Sequence, residues 1–178
     1  MNTLAPSELV FLDEAGFSLA LCVLYGWGKK GEPLVEAVPA RRGKNLSVLG
    51  AFDLEGMVAT TSKLGAMTRA DVEQFLQGDL LPRLLPGSVL VLDNASIHKG
   101  GRIEQLASTA GCRVLYLPPY SPDLNPIELA WAFVKGLVRK CGPREEVPRQ
   151  EAVAAALAAI PESFAPACFR HCQYLQPN

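Results

Sequence analysis

Two stretches of this chain run apolar residues straight into an aspartate, and that pattern limits the folds open to it. Leu9-Val-Phe-Leu12 leads into Asp13, and Ser88-Val-Leu-Val-Leu92 leads into Asp93. The first reads as a strand entering the core. The second is the unbroken kind expected of a strand buried on both faces, as in a sheet covered by helices. A carboxylate at such a strand end is costly to desolvate unless donors or a cation meet it. Either aspartate alone reads as a turn or a helix cap. Two of them read as a shared site, because strands of a mixed sheet can end side by side.

The remaining elements follow from spacing. Ser18 to Tyr25 is a second apolar run, and Gly16 before it suggests a hairpin with the first strand. Leu46 to Phe52 and Met57 to Thr61 are strands joined by a turn at Asp53 to Gly56. Thr68 with Asp71 three residues on forms an acidic capping box, and Val72, Phe75, Leu76, Leu80 and Leu84 recur at helical spacing. Arg102 to Ala110 is a helix stopped by Gly111, and Arg113 to Leu117 is a strand. Strand, helix and strand in succession imply a parallel pair. A proline-rich loop, Pro118 to Pro126, then delivers a helix with Asn125 as its cap, Pro126 at its first position and Gly142-Pro143 as its stop. A charged linker, Arg144 to Arg149, leads to helices at Gln150 to Ile160 and Ala165 to Tyr174. The fold class is α/β: an antiparallel three-strand meander plus two parallel strands in one mixed sheet, flanked by helices on both faces.

Glu128 is the third acid of interest. Ile127, Trp131, Val134 and Val138 form the apolar stripe of its helix, and Glu128, Lys135 and Arg139 lie on an adjacent one. Glu128 also stands where it could close a capping box on Asn125. Near the helix N-terminus the macrodipole favours its ionised form, which a metal ligand needs. Three carboxylates converging at the strand ends would repel one another strongly unless Mg²⁺ or Mn²⁺ sat between them. Such a site suits two-metal phosphodiester chemistry.

Composition bounds the function. With 178 residues, 49% of them hydrophobic and 20% charged, the chain is long and apolar enough for one packed domain and is not disordered. Its longest apolar runs, Leu19 to Tyr25 and Ala152 to Ile160, fall short of the roughly 20 residues of a membrane span, and no secretory signal is read at the N-terminus. Seventeen basic residues against eighteen acidic give a net charge of −1, which argues against gripping nucleic acid by bulk electrostatics alone. Five cysteines without a signal peptide read as free thiols, and Cys168, His171 and Cys172 as packing. The basic residues cluster: Lys29, Lys30, Arg41, Arg42 and Lys44 fall in one Gly- and Pro-containing segment.

Phe11-Leu-Asp-Glu-Ala-Gly-Phe17, Val91-Leu-Asp-Asn-Ala-Ser-Ile-His98 and Leu117-Pro-Pro-Tyr-Ser-Pro-Asp-Leu-Asn-Pro-Ile-Glu-Leu-Ala-Trp131 resemble the three catalytic motifs of DDE transposases, in the bacterial insertion-sequence group related to the mariner elements. Thirty-four residues separate Asp93 from Glu128, the interval that group uses, and the likeness runs from about residue 8 to 174. The resemblance implies a ribonuclease H-like fold. It implies Asp13, Asp93 and Glu128 as the catalytic, metal-binding triad with two Mg²⁺ or Mn²⁺ ions. The implied reaction is hydrolysis of a phosphodiester at an element end, then attack of the freed 3′-hydroxyl on target DNA. Glu14, Asn94, His98 and Lys135 are candidates to assist. Trp27, Lys29, Lys30, Arg41, Arg42, Lys44, Tyr120, Lys135 and Arg139 are candidates to contact DNA.

The implied partners are the terminal repeats and target DNA, a second copy in a homodimer, and a separate or upstream helix-turn-helix module, since only about seven residues precede the first strand. The expected setting is the cytoplasm, at the nucleoid, with no membrane partner. Residues 1–142 read as the catalytic core and 143–178 as a helical extension packed on it. Two other readings compete: a silent or truncated remnant that binds DNA or restrains an intact enzyme, and another ribonuclease H-like nuclease. A haloacid-dehalogenase-type phosphatase is disfavoured, since Glu-Ala follows Asp13 where a second aspartate would be wanted.

Overall fold

Among the described residues, five strands make one mixed sheet, in the spatial order Gly56–Leu64, Leu46–Asp53, Leu9–Phe17, Val89–Leu92 and Arg113–Tyr116. The structure, a computed structural model, describes residues 4–23, 26–33, 35, 43–99, 101–143 and 145–176. β1 (Leu9–Phe17), β2 (Leu46–Asp53) and β3 (Gly56–Leu64) form the antiparallel meander. β4 (Val89–Leu92) pairs with β1, and β5 (Arg113–Tyr116) with β4, both in parallel.

The expected hairpin between the first apolar run and Ser18 to Tyr25 is not what forms. Among the described residues of that segment there is no strand, and Leu24 and Tyr25 lie outside them. β1 instead continues through Asp13 to Phe17 and takes β2 as its antiparallel partner, Asp13 opposite Gly50 and Phe17 opposite Leu46. Gly16 is not a turn residue. It faces Ser47 within the ladder, and an added Cβ would collide with the Asn45 carboxamide that lies over it.

Strand alternation divides the interior into two cores. On one face Leu9, Phe11, Ala15 and Phe17 of β1 and Val89 and Val91 of β4 meet α3 (Pro126–Cys141), α4 (Glu146–Ala158) and α5 (Phe164–His171). On the other, Val10, Leu12, Leu90 and Leu92 meet α1 (Arg69–Phe75), α2 (Arg102–Thr109) and the turns after α1.

Local chemistry explains most boundaries. The Thr68–Asp71 capping box is formed at α1. The expected single helix through Leu84 breaks at Phe75, passing into a π-helical turn (Leu76–Leu80) and a 3₁₀ turn (Leu81–Arg83). Pro82 explains this, because it lacks an N–H and its ring opposes the carbonyl of Gly78 one turn back. Gly142, at φ 58°, supplies the left-handed residue that ends α3.

The segment Arg144 to Arg149 is not a linker in its later part. From Glu146 on it is the first turn of α4, where Pro148 is tolerated, and Arg149 is wholly buried. Arg149 Nη1 donates to the carbonyls of Phe17 (3.2 Å) and Lys44 (2.9 Å), joining α4 to the end of β1 and the approach to β2. No helix among the described residues is long and apolar enough to cross a membrane.

Candidate active site

Asp13 and Asp93 arrive at the same place because of register. The last β1–β4 pair is Leu12 with Leu92, so both aspartates occupy the next position, at the carboxyl end of the parallel pair. Both share the parity of Phe11 and Val91, which puts them on the face that α3 covers. Ligand sites of open α/β sheets lie at such strand ends. Glu128 reaches the same cleft from the first turn of α3. The cleft has a volume of about 510 Å³, with Asn94, Ala95 and Lys99 on one wall, residues 117–122 on another, and Asn125 beside Glu128.

The electrostatics are those of crowded acids. Asp13 is buried, and its carboxyl is pushed up to about 7, first by burial and next by the charge of Glu128, with Asp93 adding to it. A hydrogen bond from the Glu14 N–H to Oδ1 (2.7 Å) opposes this. Asp93, with its side chain 47% exposed, is instead held below the usual carboxylate range. The largest cause is the hydrogen bond from His98 Nδ1 (2.7 Å), and the Ala95 N–H (3.0 Å) and Lys99 contribute. One carboxyl at the threshold of ionisation beside another firmly charged is a cleft short of positive charge.

Hard oxygen donors around such a cleft suit Mg²⁺ or Mn²⁺. Among the described residues, no group of three or more His, Cys, Asp or Glu side chains is placed to hold a metal ion as it stands. Asp93 Oδ1 is turned to His98 and Ala95, and Asp13 Oδ1 to the Glu14 N–H.

His98 is 1% exposed, and the proton on Nδ1 follows from the carboxylate that Nδ1 faces. The Tyr116 hydroxyl, 2.8 Å from both the His98 carbonyl and Glu104 Oε1, braces the same loop. Asn94 lines the cleft, but its amide donates to the Leu117 carbonyl (2.6 Å), clipping the ends of β4 and β5 together. Glu14 lies on the opposite face from Asp13, and partial desolvation of its carboxyl, the largest influence, raises its pKa.

Lys135 and Arg139 do not line the cleft. They lie further along α3, where Lys135 Nζ is 6.0 Å from the ring centre of Phe17 at the far end of β1. Trp27, Lys29, Lys30 and Lys44 are exposed, with Lys29 3.9 Å from Glu32, while Arg41 and Arg42 lie outside the described residues. Tyr120 stands fully exposed at the cleft with φ 57°, a left-handed conformation that costs a non-glycine residue energy.

Two lining residues are not singled out for the site by sequence reasoning. Lys99 follows His98 directly, and its nearness to the motif was the available signal. Asn125 reads as a helix cap, yet its side chain makes no capping bond. Its Nδ2 points at Asp13 Oδ2, 3.4 Å away, and Glu128 does not close a capping box on it.

A ribonuclease H-like sheet with acids at the ends of β1 and β4 and on α3 is the framework of a nuclease of the DDE class. A family model described as DDE superfamily endonuclease matches residues 8–152, and the chain belongs to that family. It is 29% identical over 139 residues to the Transposable element Tc3 transposase of Caenorhabditis elegans, which covers 74% of this chain and 42% of that protein. Among solved structures, the Mos1 transposase paired-end complex with left transposon end superposes with a TM-score of 0.76 at 21% identity, over 93% of this chain and 52% of that one. The Mos1 mariner paired end complex with Mn gives 0.74 at 21% identity over 92% and 52%. The Mos1 catalytic domain with Raltegravir and Mn gives 0.68 at 18% identity over 92% and 76%. The chain thus spans less than half the length of the Tc3 transposase and about half that of the Mos1 chains in the two paired-end complexes.

Proposed function

We propose that this chain is the catalytic domain of a DDE transposase, cleaving DNA at element ends and joining them to target DNA. The observation that carries this reading is the convergence of Asp13, Asp93 and Glu128 on one cleft at the end of the β1–β4 pair. Those three residues would hold two divalent ions, Mg²⁺ or Mn²⁺. The ions would supply charge stabilisation for the attacking and leaving oxygens of an in-line phosphodiester displacement.

The chain's own residues do the rest. His98 and the Ala95 N–H keep Asp93 ionised and fix its Oδ1. Asn94 holds the ends of β4 and β5 together, so the wall of the cleft keeps its shape. Lys99 and Tyr120, at the mouth of the cleft, contact the DNA backbone and bases. Trp27, Lys29, Lys30, Arg41, Arg42 and Lys44, with Lys135 and Arg139 on α3, extend the DNA contact away from the reacting phosphate. Glu14 and Lys135 act at most through their neighbours, since neither lines the cleft.

Residues 1–142 form the core and 143–178 a helical extension of the same domain, which the shared packing of α3, α4 and α5 supports. The chain pairs with a second copy, and a helix-turn-helix module supplies recognition of the terminal repeats. It works in the cytoplasm on nucleoid DNA. The test is Mg²⁺- or Mn²⁺-dependent nicking and joining of DNA, with Asp93→Asn abolishing both. Activity that survives this substitution, or that persists in a chelator, overturns the reading. Cleavage without joining points to another ribonuclease H-like nuclease.

A further inference from the structure

We propose that Asn125 is a positioning residue for Asp13 and sets the affinity of the carboxylate site for divalent ions. The inference rests on the metal-site reading above and adds a residue to it. It starts from what Asn125 does not do. An asparagine immediately before a helix normally accepts a hydrogen bond from the N–H two or three residues on. Here the first helical residue is Pro126, which has no N–H. The Glu128 N–H is already taken by the Asn125 carbonyl at 3.1 Å. The Asn125 N–H in turn donates to the Pro122 carbonyl at 3.0 Å. The Asn125 and Glu128 N–H groups are met by backbone carbonyls, and the carboxamide, which makes no capping bond, is left for another task.

That task is visible in its burial and its direction. Asn125 is 5% exposed, an unusual setting for a carboxamide, and lies between the proline-rich loop and Asp13. Its Nδ2 donates to Asp13 Oδ2 across 112 residues of sequence. With the Glu14 N–H on Oδ1 at 2.7 Å and the longer 3.4 Å contact from Asn125 on Oδ2, each oxygen has one donor, and together they orient the carboxylate. Each carboxylate oxygen has two acceptor sites, so both keep one for a cation. Because Asn125 and Glu128 occupy the same turn of α3, the contact also ties the position of Glu128 to that of Asp13. Partners that orient a ligand in this way are typically worth about 10- to 100-fold in metal affinity.

The test separates positioning from capping. Asn125→Ser offers a side chain able to cap a helix, but its short hydroxyl cannot span the gap to Asp13. Asn125→Ala offers neither. Mn²⁺ binding to the full chain without DNA is followed by electron paramagnetic resonance of the free ion, and Tm is measured in parallel. The expected result is wild-type Tm for Asn125→Ser, with Mn²⁺ affinity reduced at least about tenfold in both variants. Asn125→Ser binding Mn²⁺ as the wild type does would overturn the proposal, and so would a loss of affinity that merely tracks a loss of Tm. No Mn²⁺ binding by the wild type would overturn the metal site itself, and this inference with it.

Discussion

Gly50 decides how close α3 can come to the sheet, and replacing it by alanine should perturb packing and, with it, the proposed DNA cleavage. Gly50 is the β2 partner of Asp13, and Trp131 of α3 lies directly on it. A Cβ there would stand 2.8 Å from Trp131 Cη2, 2.9 Å from Cζ2 and 3.3 Å from Met57 Sδ. The first two distances are closer than real contacts allow, and Trp131 is 1% exposed in a full core, so the ring must move. Overpacking of this kind costs about 1–3 kcal/mol. Relieving a glycine in a strand returns roughly 0.5–1 kcal/mol. The central net loss, about 1 kcal/mol, corresponds to a Tm lower by roughly 2–4 °C for a chain of this length.

The functional effect follows from helix geometry. Trp131 is three residues after Glu128, on the same side of α3, so lifting the indole carries Glu128 away from Asp13. DNA nicking should therefore fall at temperatures where Gly50→Ala is still fully folded. Adding Trp131→Leu, which vacates the space, should recover part of the stability. Differential scanning fluorimetry and a plasmid-nicking assay at 25 °C read the two effects. A Gly50→Ala protein with wild-type Tm and wild-type nicking would refute the reasoning.

Three further outcomes are expected. Asp71→Asn weakens the Thr68 capping box and the Lys63 ion pair (2.6 Å), costing about 1 kcal/mol at neutral pH. Lys63 and Thr68 hold the Asp71 carboxyl down at about 2, below its ordinary 3.8, so the wild-type advantage is full above that ordinary value and vanishes as pH falls through 2. Thermal melts of both proteins along that pH range check it. Arg149→Ala leaves the Phe17 and Lys44 carbonyls without their donor and should lower stability in urea by about 2 kcal/mol or more. Lys99→Ala should weaken DNA binding and reduce the slope of affinity against salt by about one, without changing Tm.

The sequence made the strands with unbroken apolar runs legible, along with the helix boundaries set by Thr68, Pro126 and Gly142, because each depends on residues within one turn of one another. The extent of β1 was half visible. The apolar run stops at Leu12, yet Ala15 and Phe17 keep the alternation that Asp13 belongs to, with Glu14 and Gly16 facing out. What the local pattern could not supply was the partner. Pairing Asp13 with Gly50 closes a long insertion, and the apolar segment Ser18 to Tyr25 offered a nearer false one. The roles of Arg149 and Asn125 were hidden for the same reason. A charged residue after a linker and an asparagine before a helix have ordinary local explanations. Their actual partners, the Phe17 and Lys44 carbonyls and Asp13, lie more than a hundred residues away in the chain.

The convergence of Asp13, Asp93 and Glu128 on one cleft was legible because the three follow features the sequence shows: two strand ends and a helix start. The electrostatics of the cleft were not, since they depend on register and burial. That Asp13 is raised to about 7 while Asp93 is held low follows from Asp13 being buried beside Glu128, whereas Asp93 remains half open with His98 against it.

The most direct test of the account is anomalous scattering from crystals of the chain grown with Mn²⁺. Manganese peaks are expected in the cleft, coordinated by Asp13, Asp93 and Glu128 and lost in Asp93→Asn. Manganese bound elsewhere, with that cleft empty in an active protein, would contradict it.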